Sequence, residues 1–234
     1  FLISQKYKLW YAINQQMITS TVENYLKALF LLNPYDEKPV TTGKLALSLN
    51  VTPGSATSMI KTLAQAGLVN HRPHYGVGLS ERGRDVAVHV VRRHRIVELF
   101  LVQILGMDWS QVHDEAEQLE HVVSDDVIHR MDALLGYPTV DPHGDPIPSA
   151  DGTLPLRTLA QLASCKEGDC VAVARIGNQD SDFLKFAEEH GLLLGASIIV
   201  TSRNEMSESI TLQSGDKEVV LGLAAASRIE VEHA

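Results

Sequence analysis

The sequence predicts a mainly α protein with a small β-domain: an N-terminal winged helix-turn-helix, a helical middle and a barrel-like C-terminal module. Three observations predict it. Apolar residues recur at helical spacing from about residue 21 to residue 135, broken once by a pair of short β-like arms. Short β-like runs with polar turns between them dominate after residue 170. Charge is also unevenly spread. Residues 38–95 carry nine Lys/Arg against Glu81 and Asp85, a net of +7, whereas residues 96–234 carry eight Lys/Arg against twenty-four acids, a net of −16. The overall charge of −9 thus hides a basic module suited to phosphates joined to an acidic module with another task.

The first helix is "TVENYLKALFLLN", with apolar Val22, Tyr25, Leu26, Leu29, Phe30 and Leu32 on one side and Ser20 or Thr21 as its cap. "NPYDEKP" breaks it, and "VTTGKLALSLN" predicts a second, short helix opened by Thr41 or Thr42. In "VTPGSATSMIKTLAQAGL", Thr52 caps, Pro53 takes the first helical position and Gly67 stops the helix. The two make a helix-turn-helix. "LVNHRPHYGVGLSERG" then predicts a two-stranded wing. A DNA-reading helix should present small polar residues and few acids. Ser55, Thr57 and Ser58 are placed near base edges, and Thr52, Lys61 and Arg72 near phosphates, with Thr42 beside them.

A long helix follows from about Glu81 to Leu105, carrying His94 and Glu98 at i, i+4 on one face. The segment "DWSQVHDEAEQLEHVVSDDVIHRMDALL" reads as the next helix. Within it, "HDEAEQLEH" places His113, Glu117, Glu120 and His121 at i, i+4, i+7 and i+8, one stripe of a helix. Carboxylate oxygens and imidazole nitrogens converging there are ligands for a divalent first-row ion. The short connection makes the two helices antiparallel neighbours, so their ligand-rich faces can meet. "GYPTVDPHGDPIPSADGTLP" reads as a linker. Beyond it come "CVAVARI", the helix "SDFLKFAEEHGL", and the runs "SIIVTSR", "SITLQ" and "EVVLGLA". Lone histidines such as His89, His129 and His143 read as surface or hydrogen-bonded residues.

No apolar run reaches about 18 residues, the length that spans a bilayer. "FLISQKYKLWYAINQQ" lacks the uninterrupted apolar region of a signal peptide, so a cytoplasmic address is expected, with Met17 a candidate start. Cys165 and Cys170, in "CKEGDC", have the spacing of neither a redox pair nor a zinc set and read as reduced thiols. A two-ion hydrolase would use the same ligands but leaves the basic winged helix without a purpose.

The order of winged helix, "RRHRIVE", "VHDEAEQLEHVVSDDV", "PHGDPIP" and small β-domain resembles the diphtheria-toxin-repressor family of metal-dependent transcription regulators, in its three-domain form. The resemblance covers the chain from about residue 20 onward. It implies a winged-helix DNA-binding domain over residues 1–84 including an N-terminal extension, a helical dimerisation and metal-binding domain over 85–150, and a linker with an SH3-like β-barrel of the FeoA type over 151–234. It also implies a homodimer that binds palindromic operators in double-stranded DNA when loaded with Mn2+ or Fe2+ and represses metal-uptake genes. No enzymatic activity, membrane or small organic substrate is expected.

Residue by residue, the resemblance gives Asn24, Glu117, Glu120 and His121 as the primary metal site, and His94, Glu98 and His113 as an ancillary site. Asn24 stands where relatives carry Asp or Met, and Lys27 where some manganese members carry a ligating Glu. Glu117 stands where iron-responsive members carry a cysteine, which points to manganese, with an iron-responsive regulator as the alternative. A further ligand is expected from Asn178, Gln179, Asp180 or Asp182, with Asp180 favoured.

Overall fold

The computed structural model describes residues 18–34, 38–155, 157–177 and 180–233. Met17, residues 1–16, Asn178 and Gln179 lie outside them. Two compact units divide the chain. The first runs to Arg93 and takes back Pro148–Leu154, and the second comprises His94–Ile147 and the chain from Pro155 onward.

The first unit opens with α1 (Ser20–Leu32). Its cap is Thr19 rather than Ser20 or Thr21: the Thr19 hydroxyl accepts from the Val22 amide at 3.3 Å. Thr41 caps α2 (Thr42–Ser48) and Thr52 caps α3 (Pro53–Gln65), with Pro53 in the first turn, where its missing N–H costs nothing. Gly67 ends α3 at φ +71°, as expected. The wing consists of β1 (Val69–Arg72) and β2 (Gly76–Leu79), paired antiparallel. Leu26, Leu29, Phe30, Leu45, Ile60, Leu63, Leu68 and Val77 form its core.

α4 (Glu81–Gln103) begins in this unit, and the Ser80 hydroxyl, which accepts from the Gly83 amide at 3.1 Å, secures its start. A Cβ on Gly83 would lie 1.9 Å from the Leu68 carbonyl oxygen, whereas one on Gly43 would meet nothing within 4 Å. Alanine is intrinsically the better helix former by up to about 1 kcal/mol. Gly83→Ala should nevertheless destabilise by about 1–3 kcal/mol, because backbone must move, while Gly43→Ala should be neutral or stabilising. Thermal unfolding of the two variants checks the sign.

In the second unit, the single helix expected over "DWSQVHDEAEQLEHVVSDDVIHRMDALL" is two: α5 (Val112–Leu119) and α6 (Asp125–Leu134). Ser124 caps α6, its hydroxyl accepting from the Val127 amide, and Asp125 and Asp126 occupy the first turn, where the helix dipole favours negative charge. Ile96, Val97, Leu99, Leu101, Val112, Ala116, Ile128 and Ile147 pack between α4, α5, α6 and the following loop.

The β-domain is a six-stranded antiparallel sheet in the order β3 (Ala160–Gln161), β8 (Ile229–His233), β4 (Cys170–Ile176), β5 (Ser197–Asn204), β6 (Ser209–Ser214), β7 (Lys217–Gly222). The expected barrel is corrected in one respect: β3 pairs only with β8 and β7 only with β6, so the sheet curves around its core without closing. α7 (Ser181–Glu189) buries Leu184 and Ala187 against it. The run read as strand "EVVLGLA" splits into β7 and a one-turn helix, α8 (Leu223–Ala226). Cys165 is buried, Cys170 is exposed, and both are free thiols.

The segment read as a linker has almost no regular structure, yet Asp141, His143, Asp145 and Ile147 are buried. One Asp141 oxygen accepts from the amides of His143 and Asp145 at 2.8 and 2.9 Å, fixing a turn. That turn docks on β4. Gly144, at φ +87°, comes so close that a Cβ would lie 2.2 Å from the Ala174 carbonyl oxygen, and Ile176 N–H donates to the His143 carbonyl at 2.8 Å. Arg175 bonds Asp145 at 2.7 Å and Glu230 at 2.9 Å. Trp109 packs against the β-domain core, stacks on His143, and donates from Nε1 to Glu188 at 3.2 Å.

Candidate metal centre

The site is built where α4 faces α5 within the second unit. His94 and Glu98 project from successive turns of α4, with His94 Nε2 2.9 Å from Glu98 Oε1. His113, in the first turn of α5, brings Nδ1 to 3.2 Å from both Glu98 Oε1 and His94 Nε2. The other nitrogen of His94, Nδ1, lies 2.5 Å from Glu120 Oε2, and Glu120 Oε1 is 3.3 Å from His121 Nε2. Glu117 Oε1 stands between the clusters, 3.8 Å from His113 Nε2 and 3.9 Å from His94 Nδ1.

Six of the expected ligands therefore form one connected network. Two groups of three have ligand atoms within 4.8 Å of one another: Glu117, Glu120 and His121, and His94, His113 and Glu117. The helical stripe expected for the first group holds through Glu120, which keeps the helical conformation and donates its N–H to the Ala116 carbonyl at 2.9 Å. α5 ends at Leu119, Glu120 is its C-terminal cap, and His121 follows in the turn leading to Ser124. This turn carries His121 alongside Glu117 and Glu120.

The side chains of Glu98 and Glu120 are 1 % and 0 % exposed. Burial raises the pKa of Glu98, but hydrogen bonds from His113 and His94 outweigh it and hold the carboxyl well below the ordinary range. Asp141, nearby, is pushed the other way by burial and by the Asp145 and Glu98 charges. Three carboxylates and three imidazoles, with no thiolate among them, suit a divalent ion of intermediate hardness such as Mn2+ or Fe2+. Glu98 Oε2, buried without a hydrogen-bond partner, is an acceptor that a cation would satisfy.

Asn24 lies on α1 in the first unit, and its Oδ1 is also buried without a hydrogen-bond partner. Lys27 is 6 % exposed. Asp180 is the N-cap of α7: its Oδ1 accepts from the Phe183 amide at 3.1 Å, and it belongs to none of the three-ligand groups among the described residues. Asp182 is exposed in the first turn of the same helix.

The expected DNA-contacting residues share the helix-turn-helix and wing. Thr52, Ser55, Thr57, Ser58, Lys61 and Arg72 are exposed and Thr42 is half-buried. Thr52 acts first as a cap, its hydroxyl 2.9 Å from that of Ser55, and the Thr57 hydroxyl donates to the Pro53 carbonyl at 2.7 Å. Ala56, Ile60 and Leu63 hold the opposite face in the core, which leaves the polar face outward. Among the described residues no helix is long and apolar enough to cross a membrane.

A winged helix joined to a buried carboxylate–imidazole network defines a metal-dependent DNA-binding regulator. Residues 17–77 match the family described as iron dependent repressor, N-terminal DNA binding domain, and residues 80–149 match iron dependent repressor, metal binding and dimerisation domain. Residues 160–233 match the FeoA domain. An uncharacterised helix-turn-helix-type transcriptional regulator of Methanocaldococcus jannaschii is 34% identical over 118 residues, 50% of this chain and 94% of its own. The iron-dependent repressor IdeR of Mycobacterium leprae is 27% identical over 92% of this chain and 98% of its own. A solved structure of a manganese-dependent transcriptional repressor in complex with manganese is 40% identical, with a TM-score of 0.84, over 91% of this chain and all of the other. The chain belongs to the iron-dependent repressor family, which includes the diphtheria toxin repressors, and is a metal-dependent transcriptional repressor rather than an enzyme.

Proposed function

We propose that the protein is a manganese-responsive repressor of metal-uptake genes, acting in the cytoplasm as a homodimer on palindromic operators. The observation that carries the metal assignment is Glu117, a carboxylate within 4.8 Å of ligand atoms on Glu120 and His121. An oxygen-rich set is hard enough to accept manganese, where a thiolate would favour ferrous iron, cobalt or nickel. The iron reading has its own support in the names of the curated relatives, and the metal titration that closes the Discussion separates the two.

In this reading residues 1–84 bind DNA, 85–150 dimerise and hold metal, and 151–234 form the linker and SH3-like module. Asn24 completes the primary set of Glu117, Glu120 and His121 with a neutral amide oxygen. A bound dication would offset the repulsion among the carboxylates and draw lone pairs from both domains together. The chain's own residues do the rest: Asn24 ties the winged helix to the ligand turn, and the winged helices of the two protomers take a spacing that fits successive major grooves.

His94, Glu98 and His113 form the ancillary set, with Asp180 as its fourth ligand. Asp180→Asn keeps the cap on α7 and should weaken metal uptake at this set while leaving the primary set filled, read as loss of one class of sites in a manganese titration. On the DNA side, Lys61→Ala should weaken all duplexes about equally and lower the salt slope by about one. Changes at Thr57 or Ser58 should alter sequence preference. Anisotropy of labelled operator and random duplexes over a salt series checks both, and equal binding of operator and random DNA by the loaded protein would sink the regulator reading.

A further inference from the structure

A third cluster lies on the far side of Glu98 from the imidazoles of His94 and His113 in bonding terms: Glu98 uses Oε1 for both histidines, and Oε2 has no hydrogen-bond partner. Glu98, Asp141 and His143 each offer one ligand atom, and the three lie within 4.8 Å of one another. They are 0 %, 2 % and 0 % exposed. None of the six ligands discussed above, other than Glu98, belongs to this group.

The hydrogen bonding around the cluster fixes what each residue has left to give. His143 Nε2 is 3.0 Å from the Trp109 carbonyl oxygen, which can only accept, so Nε2 carries a proton and Nδ1 is the nitrogen left to coordinate an ion. This pairing of a ring N–H with a carbonyl is the usual support for a metal-binding imidazole. Nδ1 is buried with no partner. Asp141 spends Oδ1 on the amides of His143 and Asp145, and its Oδ2 is buried with no hydrogen bond; the nearest cation, Arg95 Nε, stands 3.7 Å away. Arg95 is itself engaged with the Pro146 carbonyl at 2.5 Å, and Arg175 with Asp145 and Glu230. What remains is Glu98 Oε2, Asp141 Oδ2 and His143 Nδ1, three buried atoms with no hydrogen-bond partner. Leaving such groups buried together is costly.

We propose that Glu98, Asp141 and His143 bind a third divalent cation of the manganese or ferrous class, with Glu98 bridging it to the ancillary set. The proposal rests on the reading that this chain takes up such ions. The site differs from the other two in position, because Asp141 and His143 come from the turn that docks on β4. Filling it would fasten the β-domain to α4 through that turn, and so couple docking of the β-domain to ion occupancy beside His94.

The test is a crystal of the full chain grown with excess Mn2+, with anomalous difference maps at a wavelength where manganese scatters strongly. A peak among Glu98, Asp141 and His143, in addition to those at the other two sets, is the expected result. Peaks at the other sets with none here would overturn the proposal, assign a shared proton to the cluster, and leave the proposed function standing. No peak at any of the three would sink both. In solution, equilibrium dialysis should give three manganese ions per protomer for the wild type and two for Asp141→Asn, whose remaining Oδ1 still holds the turn; an unchanged count would contradict the assignment.

Discussion

Glu120→Ala should abolish metal-activated DNA binding with every divalent ion tried. Glu120 joins the two predicted sets: Oε2 lies 2.5 Å from His94 Nδ1 and Oε1 3.3 Å from His121 Nε2, and the side chain is fully buried. Its removal takes a charge from the Glu117, Glu120 and His121 group and strips His94 of a partner. Loss of a mere supporting group around a metal costs about 10–100-fold in affinity, so loss of a ligand should cost at least about 100-fold. Because a cavity at a buried position can also unfold the protein, Glu120→Gln is the companion variant. It keeps the volume, should fold with a native far-ultraviolet spectrum, and should still lose activation. A Glu120→Gln protein activated at wild-type manganese concentrations would remove Glu120 from the ligand set.

Glu117→Cys should invert metal preference rather than abolish the response. Glu117 is one-third exposed and belongs to two of the three-ligand groups, so a thiolate there softens the donor set without disturbing the core. Manganese should then activate less well than ferrous iron or cobalt, by a change on the order of tenfold in the activation ratio, about 1.4 kcal/mol. The comparison must be one of activation midpoints, since raw affinity for any variant will follow the Irving–Williams order. An unchanged ratio would show that residue 117 does not set selectivity.

Much of the architecture was legible because periodicity and caps agree. Thr52, Pro53 and Gly67 bracket α3 as written, and the polar face of Ser55, Thr57, Ser58 and Lys61 stays outward because Ala56, Ile60 and Leu63 face in. His94 and Glu98 were visible as an i, i+4 pair, and the structure brings them to His113. The break between α5 and α6 was missed although "SDD" is a helix start, because the apolar pattern on either side of Ser124 reads through it. β8 was missed too. "IEVEH" alternates as a strand should, but five residues give little signal, and its place between β3 and β4 follows from long-range pairing. In the sequence His143 reads as a lone histidine. Its importance comes from Trp109 and Glu98, residues distant in sequence that only the folded chain brings to it. The Pro- and Gly-rich composition of "DPHGDPIP" likewise describes its backbone, not its burial.

The central claim, that manganese loading switches this repressor onto its operator, is tested most directly by fluorescence anisotropy of labelled upstream DNA against metal concentration. Manganese, ferrous iron, zinc and a metal-free control are run side by side. The account predicts no specific binding without metal, and half-activation by manganese at a concentration no higher than that of ferrous iron. A protein that responds to ferrous iron and stays inactive with manganese would contradict it.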